Sequence, residues 1–176
     1  MLSFKSFLIE MGKYLSSVED KGSELSRVDY DSRNFKKHSD LSHGELHHKI
    51  IDGDHHWAVK ENGEEKMRLI TKANGNNHHI AWVSAKQGNK TKAHELYHHL
   101  ITKHNINLAS ASQSPGGFKS WQKLHQKGGI KLSTVDMYSG EHKAVHHLNH
   151  PEDVHMISGN HKTYDNANKM LIVSKK

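Results

Sequence analysis

Hydrophobic and polar positions follow several distinct periods along the chain, and each period predicts an element. Over residues 2–18, Phe4, Phe7, Leu8, Met11, Leu15 and Val18 recur at spacings of three and four, which gathers them on one stripe of an amphipathic helix. From Ser16 to about Lys49 the chain is rich in Ser, Asp, Glu, Lys and His and poor in large apolar residues. Such a stretch buries too little surface to offset the entropy of ordering, so residues 19–49 are expected to form a polar linker, with the folded domain over 50–176.

Inside that domain the period first falls to two. Residues 57–60, 67–71 and 80–85 read as strands separated by Asn62-Gly63 and Asn74-Gly75, dipeptides that supply the positive φ of tight hairpin turns. An antiparallel meander is predicted. A polar loop at 87–91 leads into a helix over about 92–104, whose buried face is Ala93, Leu96, Tyr97, Leu100 and Ile101. Residues 106–109 read as a further strand. Ser114-Pro115-Gly116-Gly117 opens a second helix with Phe118, Trp121 and Leu124 inward, and 130–132 and 170–173 complete the sheet. The stretch from 139 to 168 is polar and His-rich, with turns expected at 149–153 and at Gly159-Asn160. The fold class is therefore α/β in an α+β arrangement, one mixed sheet with a central strand-loop-helix unit.

Composition narrows the chemistry. The chain has 176 residues, enough for one core, and only 34% are hydrophobic, with no run near the roughly 18 apolar residues of a membrane-spanning helix. Without cysteine there is no disulfide, thiolate catalysis or cysteine zinc site. The N-terminal residues are not patterned as a secretory signal, so a reducing cytoplasm is expected. Lys and Arg exceed Asp and Glu by 25 to 19, a formal +6, which makes nucleic acid or a phosphorylated cofactor plausible partners and a solvated basic surface the plain alternative. Nineteen histidines, five of them starting adjacent pairs (His47-His48, His55-His56, His78-His79, His98-His99 and His146-His147), supply many metal ligands.

The element order, with Ile80-Ala81-Trp82-Val83-Ser84, the loop Gln87-Gly88-Asn89-Lys90-Thr91-Lys92-Ala93 and the helix from His94, resembles the GNAT-type N-acetyltransferase fold over about residues 57–176. The second half also looks like acetyltransferase-like proteins of tailed phages that share Ser-x-Gly-Gly-x-x-x-Trp-x-x-Leu, here beginning at Ser114. The resemblance implies an acyl-CoA-dependent N-acyltransferase or a degenerate derivative. It further implies that Gln87, Gly88, Asn89, Lys90, Thr91, Lys92 and Ala93 cradle the pyrophosphate of acetyl-CoA, or of a related phosphorylated ligand, at a helix N-terminus. Three positions, two in the loop and one in the second helix, depart from the family. Lys90 and Lys92 stand where glycines are expected, and Trp121 stands where a tyrosine often serves as general acid.

Two further patterns compete with this reading. His94-Glu95-Leu96-Tyr97-His98 is the H-E-x-x-H pattern of zinc metallopeptidases, in which His94 and His98 bind zinc and Glu95 acts as base. His104 falls where metzincins carry a third histidine, and Met137 could form their methionine turn, but Ile101 occupies the position of their glycine. With so many histidines, two half-covered rings beside the core are the simpler expectation for His94 and His98. Residues 1–10, ending Leu8-Ile9-Glu10, resemble the capsid-targeting peptide that a phage prohead protease removes. That resemblance implies a non-catalytic virion or DNA-associated protein, placed in the virion interior or the host cytoplasm. An ordinary amphipathic helix is the alternative.

Overall fold

A computed structural model of the chain describes residues 32–110, 112–113, 115–136, 138–148, 156–157 and 169–176. Strands β1 (Lys36–Leu41), β2 (Gly44–Ile51), β3 (Asp54–Glu61), β4 (Glu64–Asn74) and β5 (Asn77–Ala85) come first, followed by helix α1 (Ala93–His104). Then follow β6 (Asn107–Ser110), β7 (Ser112–Gln113), α2 (Pro115–Lys127), β8 (Ile130–Asp136), β9 (His142–Ala144), β10 (Met156–Ile157) and β11 (Lys169–Lys175). Nine strands form one mixed sheet in the order β1-β2-β3-β4-β5-β6-β11-β8-β9, and β10 pairs with β7 apart from it. The chain is thus an α+β domain, mostly sheet, with two helices among the described residues. None of its described helices is long and apolar enough to cross a membrane.

The meander extends one hairpin further towards the N-terminus than composition suggests. Residues 36–41 and 44–49, expected to be linker, are strand, joined by a turn at 42–43: β1 pairs with β2, and β2 with β3, both antiparallel. An edge hairpin needs little apolar surface, because its backbone groups are satisfied by the ladder and its exposed side chains by one another. Here Lys37 meets Glu45 at 2.7 Å, His47 meets Glu45 at 2.9 Å, and Leu46 alone in β2 is fully buried. The described domain therefore begins well before residue 50. The predicted helix at 2–18 and the peptide 1–10 lie outside the described residues.

Hairpin turns at Asp52-Gly53 and Asn62-Gly63 place both central residues at positive φ, the geometry that matches the twist of the flanking strands. Antiparallel pairing runs unbroken to β5, which then pairs with β6 in parallel. That parallel contact covers only Asn77↔Asn107, His78↔Leu108 and His79↔Ala109, although β5 runs on to Ala85. Strand β11 inserts antiparallel between β6 and β8. Both helices share a core with one face of the sheet: Leu96, Leu100 and Ile101 of α1, and Phe118, Trp121 and Leu124 of α2, are buried with Trp57, Val59, Leu69, Leu108 and Leu171. Each of these apolar helix positions was legible as an i, i+3, i+4 stripe.

Candidate functional site

Where β5 leaves β6 the sheet opens into a cleft of about 330 Å³. Val83, Ser84 and Ala85 line one side, Met67 and Tyr97 lie deeper, and Gly116, Gly117 and Ser120 of α2 stand opposite. The loop before α1 contributes Gly88, Asn89, Lys92 and Ala93. Tyr97 is buried with its ring centroid 5.1 Å from that of Trp121, and burial raises its phenol above the ordinary range, so it keeps its proton. Trp121 is itself a core residue with 2% exposure. The phenol in this cleft therefore comes from α1, one helix away from the position the resemblance would give it.

The loop itself is held by an internal anion. Glu61, at the end of β3, accepts the backbone N–H of Lys90 at 2.9 Å and that of Thr91 at 2.9 Å. Burial pushes the Glu61 carboxyl up, and the N–H donors of Thr91 and Lys90 outweigh it and hold the group below the usual carboxylate range. Glu95 accepts the Lys92 N–H at 2.8 Å, so a second carboxylate caps the start of α1. Lys92 turns its ammonium onto the Asn89 carbonyl at 2.8 Å. Of the seven residues expected to cradle a pyrophosphate, Gly88, Asn89, Lys92 and Ala93 face the cleft, Gln87 is exposed beside it, and Lys90 and Thr91 direct their amides to Glu61. Glu61 lies 26 residues before the loop, and only the meander brings the two together.

Of the His-Glu-x-x-His residues on α1, His98 and Glu95 are engaged separately. The His98 ring nitrogen Nε2 lies 3.3 Å from the Gly128 carbonyl oxygen, while Glu95 is the helix cap just described. His104 turns away from both and contacts His99 and His38. Residues 133–136 are paired with β11 in the sheet, and Met137 lies outside the described residues. Among the described residues no three His, Asp or Glu side chains gather as a metal-binding group.

A second constellation went unseen in the sequence. Six histidines from β1, β2, β3, β5 and α1 assemble about Trp57. His48 stacks on the indole with centroids 4.0 Å apart, His38 meets it edge-on at 5.3 Å, and His55 stacks on His48 at 4.9 Å. His78 joins His55 at 4.6 Å and shares Thr71 Oγ1 with the indole N–H, while His38 reaches His104 and, through it, His99. Desolvation lowers the whole group: His38, His55, His99 and His104 fall below the ordinary imidazole value, and His48 and His78 fall to about 4. The adjacent pairs carried the signal. In a strand, neighbours point to opposite faces, so the pairs at 47–48, 55–56 and 78–79 each deliver one ring, His48, His55 and His78, to the helix-bearing side.

Fold and site together define an α+β domain whose sheet parts at a parallel strand pair, with a helix N-terminus at the opening. No family model, curated protein or solved structure matches the chain.

Proposed function

We propose that the chain is a degenerate GNAT-like acyltransferase domain, a binding module that keeps the cleft but has closed the pyrophosphate cradle with its own carboxylate. The observation that carries this reading is the Glu61 side chain on the N–H groups of Lys90 and Thr91. In the resembled family those donors serve the cofactor's phosphates. Here an incoming pyrophosphate would meet a fixed negative charge and donors already engaged, each hydrogen bond to a charged group being worth about 1.5–3 kcal/mol. The parted strands β5 and β6, the loop at the start of α1 and the small residues Gly116 and Gly117 across the cleft support the kinship.

Calorimetry with acetyl-CoA tests the proposal. The expected result is no binding and no acetyl transfer by the native chain at sub-millimolar acetyl-CoA, and an affinity at least about tenfold higher in Glu61→Gln, which removes the charge but keeps an acceptor. Micromolar binding with acetyl transfer by the native chain would overturn degeneracy in favour of an active N-acyltransferase, and failure of both proteins to bind would remove the acyl-CoA kinship. The net charge of +6 and the Leu8-Ile9-Glu10 triplet support packaging with DNA in a phage head as the setting. Virion mass spectrometry showing a chain that starts at Met11 is the corresponding check.

A further inference from the structure

We propose that His99, His104 and Ser39 form a binding site for a borderline divalent transition-metal ion, zinc in the first instance, which ties edge strand β1 to the C-terminal end of α1. The argument starts from three atoms. His99 Nε2 and His104 Nε2 are 3.2 Å apart, and Ser39 Oγ lies 2.9 Å from the first and 3.1 Å from the second. Two imidazole nitrogens bound about 2.0–2.1 Å from one zinc ion at near-tetrahedral angles stand about 3.3 Å apart. The observed triangle has that size. An ion at this bond length would rest about 1 Å off the plane of the three atoms, with its remaining position open.

Hydrogen bonding alone accounts for the triangle less well. Each corner subtends about 60°, so no single hydrogen can lie along two edges, whereas lone pairs from all three atoms can converge on one point. The ring centroids of His99 and His104 are 5.1 Å apart with planes inclined at 54°. Two rings aimed at a common ion would have centroids about 5 Å apart, closer than two rings aimed nitrogen to nitrogen at the same separation.

The surroundings supply what a ligand pair needs. His38 Nε2 lies 3.1 Å from His104 Nδ1, so a proton on Nδ1 is accepted by His38 and leaves Nε2 of His104 with a free lone pair, the partner arrangement typical of metal-bound histidine. His99 also borders a shallow groove of about 150 Å³ beside His43 and Thr102, which gives an ion a path from solvent. This site is distinct from the His-Glu-x-x-His pair: His98 lines the same groove as His99, but its Nε2 lies 3.3 Å from the Gly128 carbonyl oxygen instead of in the triangle.

The test uses the untagged full-length chain, stripped with EDTA and titrated with zinc chloride while the imidazole nitrogens are followed by long-range proton–nitrogen NMR. The first equivalent of zinc is expected to shift Nε2 of His99 and His104 before any other histidine. A first equivalent that perturbs other rings, or all rings evenly, would overturn the site without recourse to any variant. In parallel, His99→Ala and His104→Ala should each weaken the tightest zinc affinity by at least about tenfold, and His38→Ala by a similar factor through its supporting bond, while His98→Ala leaves it unchanged. Circular dichroism without metal confirms that each variant is folded. Equal affinity in all four, or equal loss in all four, would count against the assignment.

Discussion

Glu61 Oε1 stands 2.9 Å from the backbone nitrogen of Thr91, so the last residue of β3 closes the first loop of the helical layer. The bond is charge-assisted, nearly buried, and joined by a second from Lys90. Glu61→Ala is expected to lower stability by about 2 kcal/mol, with Glu61→Gln losing less, as measured by urea denaturation. The pH dependence has a definite sign. A carboxyl held below its ordinary value of 4.5 adds stability that is complete above that value and disappears as pH falls through the folded-state pKa.

Gly44 guards the same carboxylate from the other side. Its φ is 136°, and a Cβ built there would stand 2.2 Å from the Lys60 carbonyl oxygen and 3.2 Å from Glu61 Cγ. The first of these is backbone and cannot yield without shifting the β2–β3 pairing. Gly44→Ala should cost about 1–3 kcal/mol and loosen the Glu61 anchor, read out as faster hydrogen exchange at the Lys90 and Thr91 amides. Unchanged exchange at those amides would separate the two effects.

Arg68 is 1% exposed and holds Glu65 through two bonds, Nε to Oε1 at 2.7 Å and Nη2 to Oε2 at 2.6 Å, with the Phe35 ring 4.5 Å from its guanidinium carbon. Removing the Glu65 carboxylate takes two charge-assisted bonds from a buried guanidinium. Glu65→Ala is expected to destabilise by about 3–5 kcal/mol, while the pair replacement Glu65→Leu with Arg68→Met costs far less, as a double-mutant cycle in urea will show.

His79 is buried with neither ring nitrogen hydrogen-bonded among the described residues, and burial lowers its pKa to about 4. His79→Leu should therefore raise stability by about 1–2 kcal/mol by removing an unsatisfied imidazole. It should also reduce acid sensitivity. His48, His78 and His79 stay neutral in the fold down to about 4, whereas unfolded imidazoles take up protons near 6.5. Between those values the unfolded chain binds more protons, so stability falls as pH drops from about 6.5 towards 4 and then levels off for these groups. Urea midpoints at several pH values across that window measure the slope, which the variant should make shallower.

Much of the architecture could be read directly from the sequence, because it follows from local rules. The Asn62-Gly63 turn, the period-two strands, and the stripes Leu96, Tyr97, Leu100, Ile101 and Phe118, Trp121, Leu124 depend only on near neighbours along the chain, and the structure has them where the periods place them, while the turn expected at Asn74-Gly75 falls one residue later, at Gly75-Asn76, with Asn74 still paired in β4. Two features lay beyond such rules. The hairpin over 36–51 is too polar to announce itself, since edge strands are stabilised by pairing with a neighbour rather than by their own apolar content. The chemistry is also non-local. Glu61 reaches an amide 30 residues away, and Ser39 reaches His99 and His104 across 60 and 65 residues. By itself the sequence determined the meander from Trp57 onward, the two helices and the strands near 106–109, 130–132 and 170–173; tertiary structure alone decided that 36–51 is a hairpin, which carboxylate fills the loop and which of the described imidazoles converge, because strand order and facing, not spacing, bring distant side chains within hydrogen-bond reach.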